Sequence, residues 1–347
     1  MLKYSKKYWD DVDKIFETLS DIGSLFNRSV LITGASGMIG SAIADILFRI
    51  NKTRDSNIKI FLACRDKIKL QSRFRCFTEG RDYTYIPFDA VKPWSCSIKP
   101  DYVIHAASNS DPESILKHPV ETILSNVCGL NSLLASFTDG GLSRFLFVSS
   151  SEIYGNKNDN SPFNESDYGY VDVLNPRASY PDSKRSGESL CIAYHEEYSL
   201  DTVIVRPGHI YGPSITDTDS RASAQFLRRA YRKQDIILKS SGSQIRSYCY
   251  TLDCASACLY VLLNGKSANA YNISGPCAAA SIRDIAEEFA KISGVNVVFE
   301  NASDFEKRSG NLMKNSSLDP GKILSLGWKP VFSLTDGVRA ALESYED

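Results

Sequence analysis

The chain has 347 residues, 43% hydrophobic and 23% charged, which is long enough for two lobes around a sizeable buried core. Lysine plus arginine (40) nearly cancel aspartate plus glutamate (41), so no overall field draws the protein onto nucleic acid or an anionic membrane surface. The amino terminus carries charges every few residues and no apolar run approaches the roughly 18 residues of a membrane span, so no signal peptide and no anchor are expected, and a cytoplasmic location is.

From Trp9, the apolar positions Val12, Phe16, Leu19 and Ile22 recur at helical spacing and predict an amphipathic extension over residues 1–28, suited to packing or dimerisation. Ser29 to Thr33 reads as a short buried strand, followed by a glycine-rich turn and a helix over Ala42 to Ile50. Further strands are expected at Lys59 to Cys64, Tyr83 to Phe88, Tyr102 to Ala106, Arg144 to Ser149 and Thr202 to Val205, mostly with helices between them. This alternation predicts an α/β fold, a Rossmann-type doubly wound parallel sheet over residues 29–208. After Pro213 the rhythm changes to helices at Ala222 to Arg232, Leu252 to Leu263 and Ser281 to Ser293 and a short strand at Ile236 to Leu238. Residues 209–347 are therefore expected to form mainly a smaller α/β lobe, with some strands free to return to the first sheet. Nine scattered cysteines, several inside apolar runs, fit reduced buried thiols. Cys254 and Cys258 stand one helical turn apart without histidine or acidic partners at ligand spacing, so no metal site is expected.

The turn Thr33-Gly34-Ala35-Ser36-Gly37-Met38-Ile39-Gly40 places glycines where a strand bends into a helix and a pyrophosphate can approach backbone N–H groups. A glycine triplet alone is also compatible with a flexible turn. The preceding strand, the following helix and the G-x-x-G-x-x-G spacing together favour a dinucleotide site. The second strand ends in Cys64-Arg65-Asp66, where the ribose is read. Arg65 can pair a 2′-phosphate and tilts the choice between NAD and NADP toward NADP, whereas Asp66 points the other way and Arg65 also fits a solvated loop.

Tyr180 and Lys184 are four residues apart, so on a helix they share one face. A tyrosine near pKa 10 is a poor base at neutral pH, but a neighbouring cation favours its phenolate, which can then take a hydroxyl proton. The spacing is common by chance, and its weight comes from Ser149-Ser150-Ser151-Glu152, which closes the fifth strand at the carboxyl edge of the sheet.

With these motifs the chain resembles the extended short-chain dehydrogenases of the NAD-dependent epimerase/dehydratase family. The likeness also runs through His105-Ala106-Ala107-Ser108, Asn126-Val127-Cys128-Gly129, Arg206-Pro207-Gly208-His209-Ile210-Tyr211-Gly212 and Leu326-Gly327-Trp328. The resemblance implies catalytic Ser150, Tyr180 and Lys184, with Asn126 supporting the active-site water and helix geometry. It implies a cofactor set of Gly34, Ser36, Gly37, Met38, Ile39, Gly40, Arg65, Asp89, Ala106, Ala107, Ser108 and Asn126, joined by Tyr180 and Lys184. It also implies a nucleotide-diphosphate-sugar substrate in the second lobe and a homodimer.

Within the family the chain is most similar to UDP-glucuronate decarboxylases, through Ser150-Ser151-Glu152, Tyr180-x-x-x-Lys184-Arg185 and Gln244-Ile245-Arg246. This likeness assigns Glu152 to proton handling or ring orientation, Ser151 to the substrate carboxylate, and Arg246, with Arg221, to anionic groups of the substrate. Two positions depart from it. Arg65 and His209 match nucleotide-sugar 4-ketoreductases, which consume NADPH, and His209 is either a substrate contact or a structural hydrogen-bonder. Simple 4-epimerisation also stays open. A 4,6-dehydratase would require aspartate where Ser151 stands. A non-enzymatic dinucleotide sensor is disfavoured by the intact Ser-Tyr-Lys set.

Overall fold

In the computed structural model, which describes residues 2–216, 218–275, 279–311 and 313–345, the apolar runs lie side by side as one parallel sheet. Its strands are β1 (Ser29–Thr33), β2 (Lys59–Cys64), β3 (Thr84–Pro87), β4 (Tyr102–His105), β5 (Arg144–Val148) and β6 (Thr202–Pro207). The chain then builds β7 (His209–Tyr211), β8 (Ile236–Leu238), β9 (Ile245–Tyr250), β10 (Asn269–Ile273), β11 (Ala279–Ser281), β12 (Val297–Phe299) and β13 (Asn315–Ser316). The large sheet has the order β10-β6-β5-β4-β1-β2-β3, every pair parallel. Central β1 and β6 are buried at every position, as expected for strands covered on both faces. The order reverses between β1 and β4, so the crevice for a ligand opens at their carboxyl ends, where Thr33 pairs with His105.

Beside it, β9 pairs antiparallel with β11 and parallel with β13 and β7, and β8 with β12 forms a separate pair. The chain crosses between the two sheets at Gly208. A Cβ at that position would sit 2.4 Å from the Ser247 carbonyl oxygen, so only glycine lets β6 continue into β7 against β9. His209 is thereby placed at the junction.

Two elements differ from the sequence expectation. The amino-terminal helix spans Lys6–Glu17 and stops short of Leu19, because the Thr18 hydroxyl donates to the Ile15 carbonyl at 2.7 Å and a separate short turn, Ile22–Leu25, follows. The helix Thr251–Asn264 lies against the helix Met38–Arg54 and the strands β5 and β6. Its continuous apolar run suited either sheet, and the large one takes it.

The extension is fastened by chemistry as well as packing. Val12 and Ile15 are fully buried, roughly 1.5–3 kcal/mol each. The Tyr4 and Tyr8 hydroxyls donate to the two oxygens of buried Asp45 at 2.8 and 2.6 Å, and Arg73 pairs with the same carboxylate. Arg73 also donates to the Ser214 hydroxyl at 3.1 Å, which ties the extension to the segment leading to Arg221. Eight cysteines are free thiols, and Cys277 lies outside the described residues.

Candidate functional site

The glycine turn packs flat across the switch point. Gly34 has φ +69°, and a Cβ there would lie 2.6 Å from the Ala106 carbonyl oxygen. One on Gly40 would lie 2.6 Å from the Gly34 oxygen. The helix Met38–Arg54 starts at Gly37 with no side chain capping it, so the first-turn N–H groups around Met38, Ile39 and Gly40 remain available to an anion. Ser36 belongs to the same turn. Across it, Ala106 and Ala107 offer backbone, and the buried Ser108 hydroxyl has no hydrogen-bond partner among the described residues. These features fit a dinucleotide pyrophosphate at this edge.

Arg65 follows β2 directly, mostly exposed, and its guanidinium holds Glu121 at 2.8 Å. The Asp89 carboxylate accepts from the Val91 N–H at 3.3 Å and lies 3.9 Å from Lys92. Gly129, one turn past Asn126, meets this loop so closely that a Cβ would lie 1.9 Å from the Ala90 oxygen. Asn126 itself is fully buried in the irregular turn Ser125–Gly129. Its Nδ2 donates to the Ser183 hydroxyl at 3.0 Å, while its Oδ1 has no partner among the described residues.

Tyr180 and Lys184 do share one face of a helix, Ser179–Tyr198. Gly187 brings that helix onto β5, where a Cβ would lie 2.7 Å from the Phe147 ring. Lys184 Nζ donates to the Val148 carbonyl at 2.8 Å and lies 6.0 Å from the Tyr180 ring centroid. Burial pulls the Lys184 ammonium down to about 7. Burial also pushes the Tyr180 hydroxyl up to about 12, and nearby Glu152 adds to the rise, while a hydrogen bond with Ser150 and the charges of Arg177 and Arg221 pull against it. Ser150 caps the short turn Ser151–Tyr154 by accepting from the Glu152 N–H at 3.1 Å, and Ser151 is buried in that turn.

Glu152 Oε1 accepts from Arg177 Nη2 at 2.8 Å, and the Arg177 side chain, 2% exposed, lies 5.8 Å from the Tyr180 ring. Sequence reasoning missed Arg177. Its signal was an arginine three residues before Tyr180, on the same side of the approaching helix. His209 sits nearby with Nδ1 buried and unpartnered among the described residues. Burial first, then the charges of Arg246, Arg221 and Arg177, hold its pKa well below the ordinary value, so it is neutral. Arg246 donates from Nη1 to the Ile245 and Lys314 carbonyls and from Nη2 to the Met313 carbonyl at 2.9 Å. Arg221 pairs with Asp219. Ser150, Glu152, Tyr180, Lys184, His209, Arg221 and Arg246 thus converge where the sheets meet, and Arg65 and Asp89 lie toward the β2–β3 side. Among the described residues there is no cluster of three or more His, Cys, Asp or Glu placed to hold a metal ion, and no helix long and apolar enough to cross a membrane.

The profile of the NAD dependent epimerase/dehydratase family matches residues 30–274. The chain is 26% identical over 322 residues to UDP-glucuronic acid decarboxylase 1 of Xenopus tropicalis, covering 92% of this chain and 72% of that protein. It is likewise 26% identical to UDP-glucuronic acid decarboxylase 6 of Arabidopsis thaliana, over 92% and 89% of the two chains. Among solved structures it resembles UDP-glucuronic acid 4-epimerase from Bacillus cereus in complex with UDP-glucuronic acid and NAD, with TM-score 0.76, 23% identity and 91% and 98% coverage. The dTDP-glucose 4,6-dehydratase of Bacillus anthracis gives TM-score 0.75 at 18% identity, over 92% and 96%. With the family profile spanning well over half of its length, and the sheet order and glycine turn in agreement, the chain belongs to the NAD-dependent epimerase/dehydratase family of nucleotide-sugar enzymes.

Proposed function

We propose that this protein acts on a nucleotide-sugar through oxidation at C4, as a UDP-glucuronate decarboxylase. The observation that carries this choice is the buried Glu152–Arg177 ion pair beside Tyr180, a carboxylate and a cation one side chain away from the proton-transferring hydroxyl. The relatives named decarboxylases over nine tenths of the chain support it. A nicotinamide dinucleotide held by the glycine turn Gly34–Gly40 and by Ala106, Ala107 and Ser108 would supply reversible hydride transfer at C4. Tyr180 Oη takes the C4 hydroxyl proton, with Ser150 hydrogen-bonded to it and the Lys184 ammonium favouring its phenolate. The C6 carboxylate is then β to a ketone. The C5–C6 bond breaks, carbon dioxide leaves, and the electron pair is held as an enolate until C5 is protonated. Glu152, its charge held by Arg177, orients the ring or manages that proton, and Ser151 bonds the carboxylate before it leaves. Arg221 and Arg246 bring positive charge toward the substrate's anionic groups, and Tyr180 Oη finally returns its proton to the C4 oxygen.

The second reading, an NADPH-dependent 4-ketoreductase, rests on Arg65 and His209. Arg65 would favour NADP by exchanging Glu121 for a 2′-phosphate. A 4-epimerase is the third. Exposed Val120, Ile123 and Leu124, on a helix packed against Ser179–Tyr198, support pairing of two chains, and a single-chain species in sedimentation would reject the homodimer. The function is tested by incubating the protein with UDP-glucuronate and NAD or NADP and following the sugar nucleotide by mass spectrometry. Loss of the carboxyl mass without net cofactor turnover is expected. An unchanged substrate rejects the decarboxylase, and reduction of a 4-keto-6-deoxy sugar nucleotide by NADPH would then favour the second reading.

A further inference from the structure

The stretch that delivers Arg221 is gripped from across the cleft by Asp111. Asp111 lies beyond β4 of the large sheet, just after Ala106, Ala107 and Ser108 at the cofactor edge, whereas Ser220 follows β7 of the small one. Each oxygen of the Asp111 carboxylate has a separate task. Oδ2 accepts the Ser114 N–H at 3.0 Å and so caps the helix Pro112–Lys117, whose first-turn proline presets the backbone. Oδ1 faces the other way and accepts both the N–H and the hydroxyl of Ser220, at 2.8 and 2.6 Å. The Ser220 carbonyl is taken by Gln225 Nε2 at 2.7 Å, so the residue before Arg221 is fixed at all its polar groups.

Arg221 is held within the same stretch. Asp219 Oδ1 accepts its backbone N–H at 3.1 Å and its Nε at 2.9 Å, and the second oxygen pairs with Nη2, which leaves Nη1 without a hydrogen bond among the described residues. Burial works against the Arg221 charge, and the carboxylates of Asp219 and then Asp111 outweigh it, so the guanidinium stays ionised and its charge reaches Tyr180 and His209. Asp219, Gln225 and Arg228, which takes the Asp219 carbonyl at 2.7 Å, all belong to the Arg221 side of the cleft. Asp111 supplies the tie to the cofactor side. Capping does not account for that tie, because the cap uses Oδ2 and the tie uses Oδ1. The far end of the same helix makes a second bridge, with Lys117 Nζ 5.2 Å from the Phe305 ring of the helix Asp304–Ser309.

We infer that Asp111 is a positioning residue that clasps the cofactor side of the cleft to the substrate side through Ser220, and thereby sets where Arg221 presents its charge. The inference rests on the proposed reading of Arg221 as a contact for the substrate's anionic groups, and adds what aligns that contact with the cofactor. A clasp made before the ligand arrives spares the ligand the cost of ordering the stretch.

The test measures binding of UDP and of NAD, each alone, by calorimetry on the full chain, with a thermal melt of every variant. Asp111→Ser keeps a side chain that caps a helix but is too short to reach Ser220, so the helix is retained and the clasp is lost. It should weaken UDP about tenfold, as for loss of hydrogen bonds to a carboxylate, while NAD changes less than about twofold. Ser220→Ala removes one of the two bonds from the other side and should produce a smaller loss in the same ligand. In an Arg221→Ala background, where the residue to be aligned is gone, Asp111→Ser should add less than about twofold. UDP affinity of Asp111→Ser equal to wild type would mean that Asp111 only caps its helix, and an undiminished loss in the Arg221→Ala background would mean that it acts on something other than Arg221; either result overturns the inference. Unchanged UDP binding in Arg221→Ala alone would instead refute the reading of Arg221, and the inference with it. Neither ligand carries a sugar, so the outcome is independent of whether the protein decarboxylates UDP-glucuronate.

Discussion

Replacing Lys184 by methionine removes the ammonium that favours a Tyr180 phenolate while retaining most of the buried volume. Lys184 Nζ lies 6.0 Å from the Tyr180 ring centroid. At an effective dielectric constant of about 20, a full positive charge at about 6 Å from a phenolate is worth about 3 kcal/mol, or roughly two pKa units and a hundredfold in ionisation, which sets the upper bound for Lys184. The contribution is needed because burial already holds Tyr180 at about 12, so its phenolate is scarce at neutral pH. In Lys184→Met, kcat should fall about a hundredfold with KM for the sugar nucleotide changed less than threefold. The measurement is steady-state turnover across pH together with a thermal melt of each protein. The acidic limb of the pH profile, where activity rises as Tyr180 ionises, should move upward by about two units, a shift that loss of packing or of the bond to the Val148 carbonyl would not produce. A kcat within fivefold of wild type, or an unmoved acidic limb, would refute the electrostatic role and leave Lys184 as a structural support.

Three other outcomes are expected. Arg65→Ala should weaken NADP binding much more than NAD binding in fluorescence titration, and equal losses would reject Arg65 as the 2′-phosphate reader. His105, fully buried with its pKa lowered to about 3 by burial and then by Lys184, should show no imidazole titration by NMR between pH 4 and 8. Its folded value lies below the unfolded value near 6.5, so its contribution to stability is present above pH 6.5 and is lost as pH falls through 3, about 5 kcal/mol in all; a titration near 6.5 in the folded protein would contradict it. Tyr8→Phe removes a donor at 2.6 Å from buried Asp45 and should cost about 1.5–3 kcal/mol in urea unfolding, whereas a change under 0.5 kcal/mol would mean that Tyr4 and Arg73 suffice.

What the sequence disclosed follows from the range over which each feature is encoded. The strands, the glycine turn and the Tyr180–Lys184 face are local, set by apolar runs, a backbone demand and a four-residue spacing. Glu152 and Tyr180 were both visible, but Arg177, which lies between them in sequence and holds Glu152, was not, because a salt bridge across 25 residues leaves no periodic trace. The bond from Arg177 Nε to the Ser309 carbonyl spans 132 residues and leaves even less trace. The helix Thr251–Asn264 illustrates the same limit in the core. Its apolar residues announce burial on every side, and nothing local says which sheet provides the cover.

The catalytic-type helix passes through two electrostatic settings, and the contrast locates the chemistry. Toward its middle, Glu188 accepts from Arg206 through Nε and Nη2 and from the Ser149 hydroxyl at 2.5 Å, and Arg206 continues to the Tyr154 hydroxyl, which donates to Asn272. Removing one partner from such a buried pair typically costs about 3–5 kcal/mol, because the other charge is left stranded. That network ties β5, β6, β10 and the helix together and needs nothing from outside the protein. Around the helix's first turn the arrangement is different. Arg177 Nη1, His209 Nδ1 and Asn126 Oδ1 are enclosed without partners among the described residues, close to a tyrosine and a lysine that burial drives toward their neutral forms. A fold that satisfies the middle of a helix so completely can hold unsatisfied groups around its start, and those groups define where a charged ligand lowers the energy most.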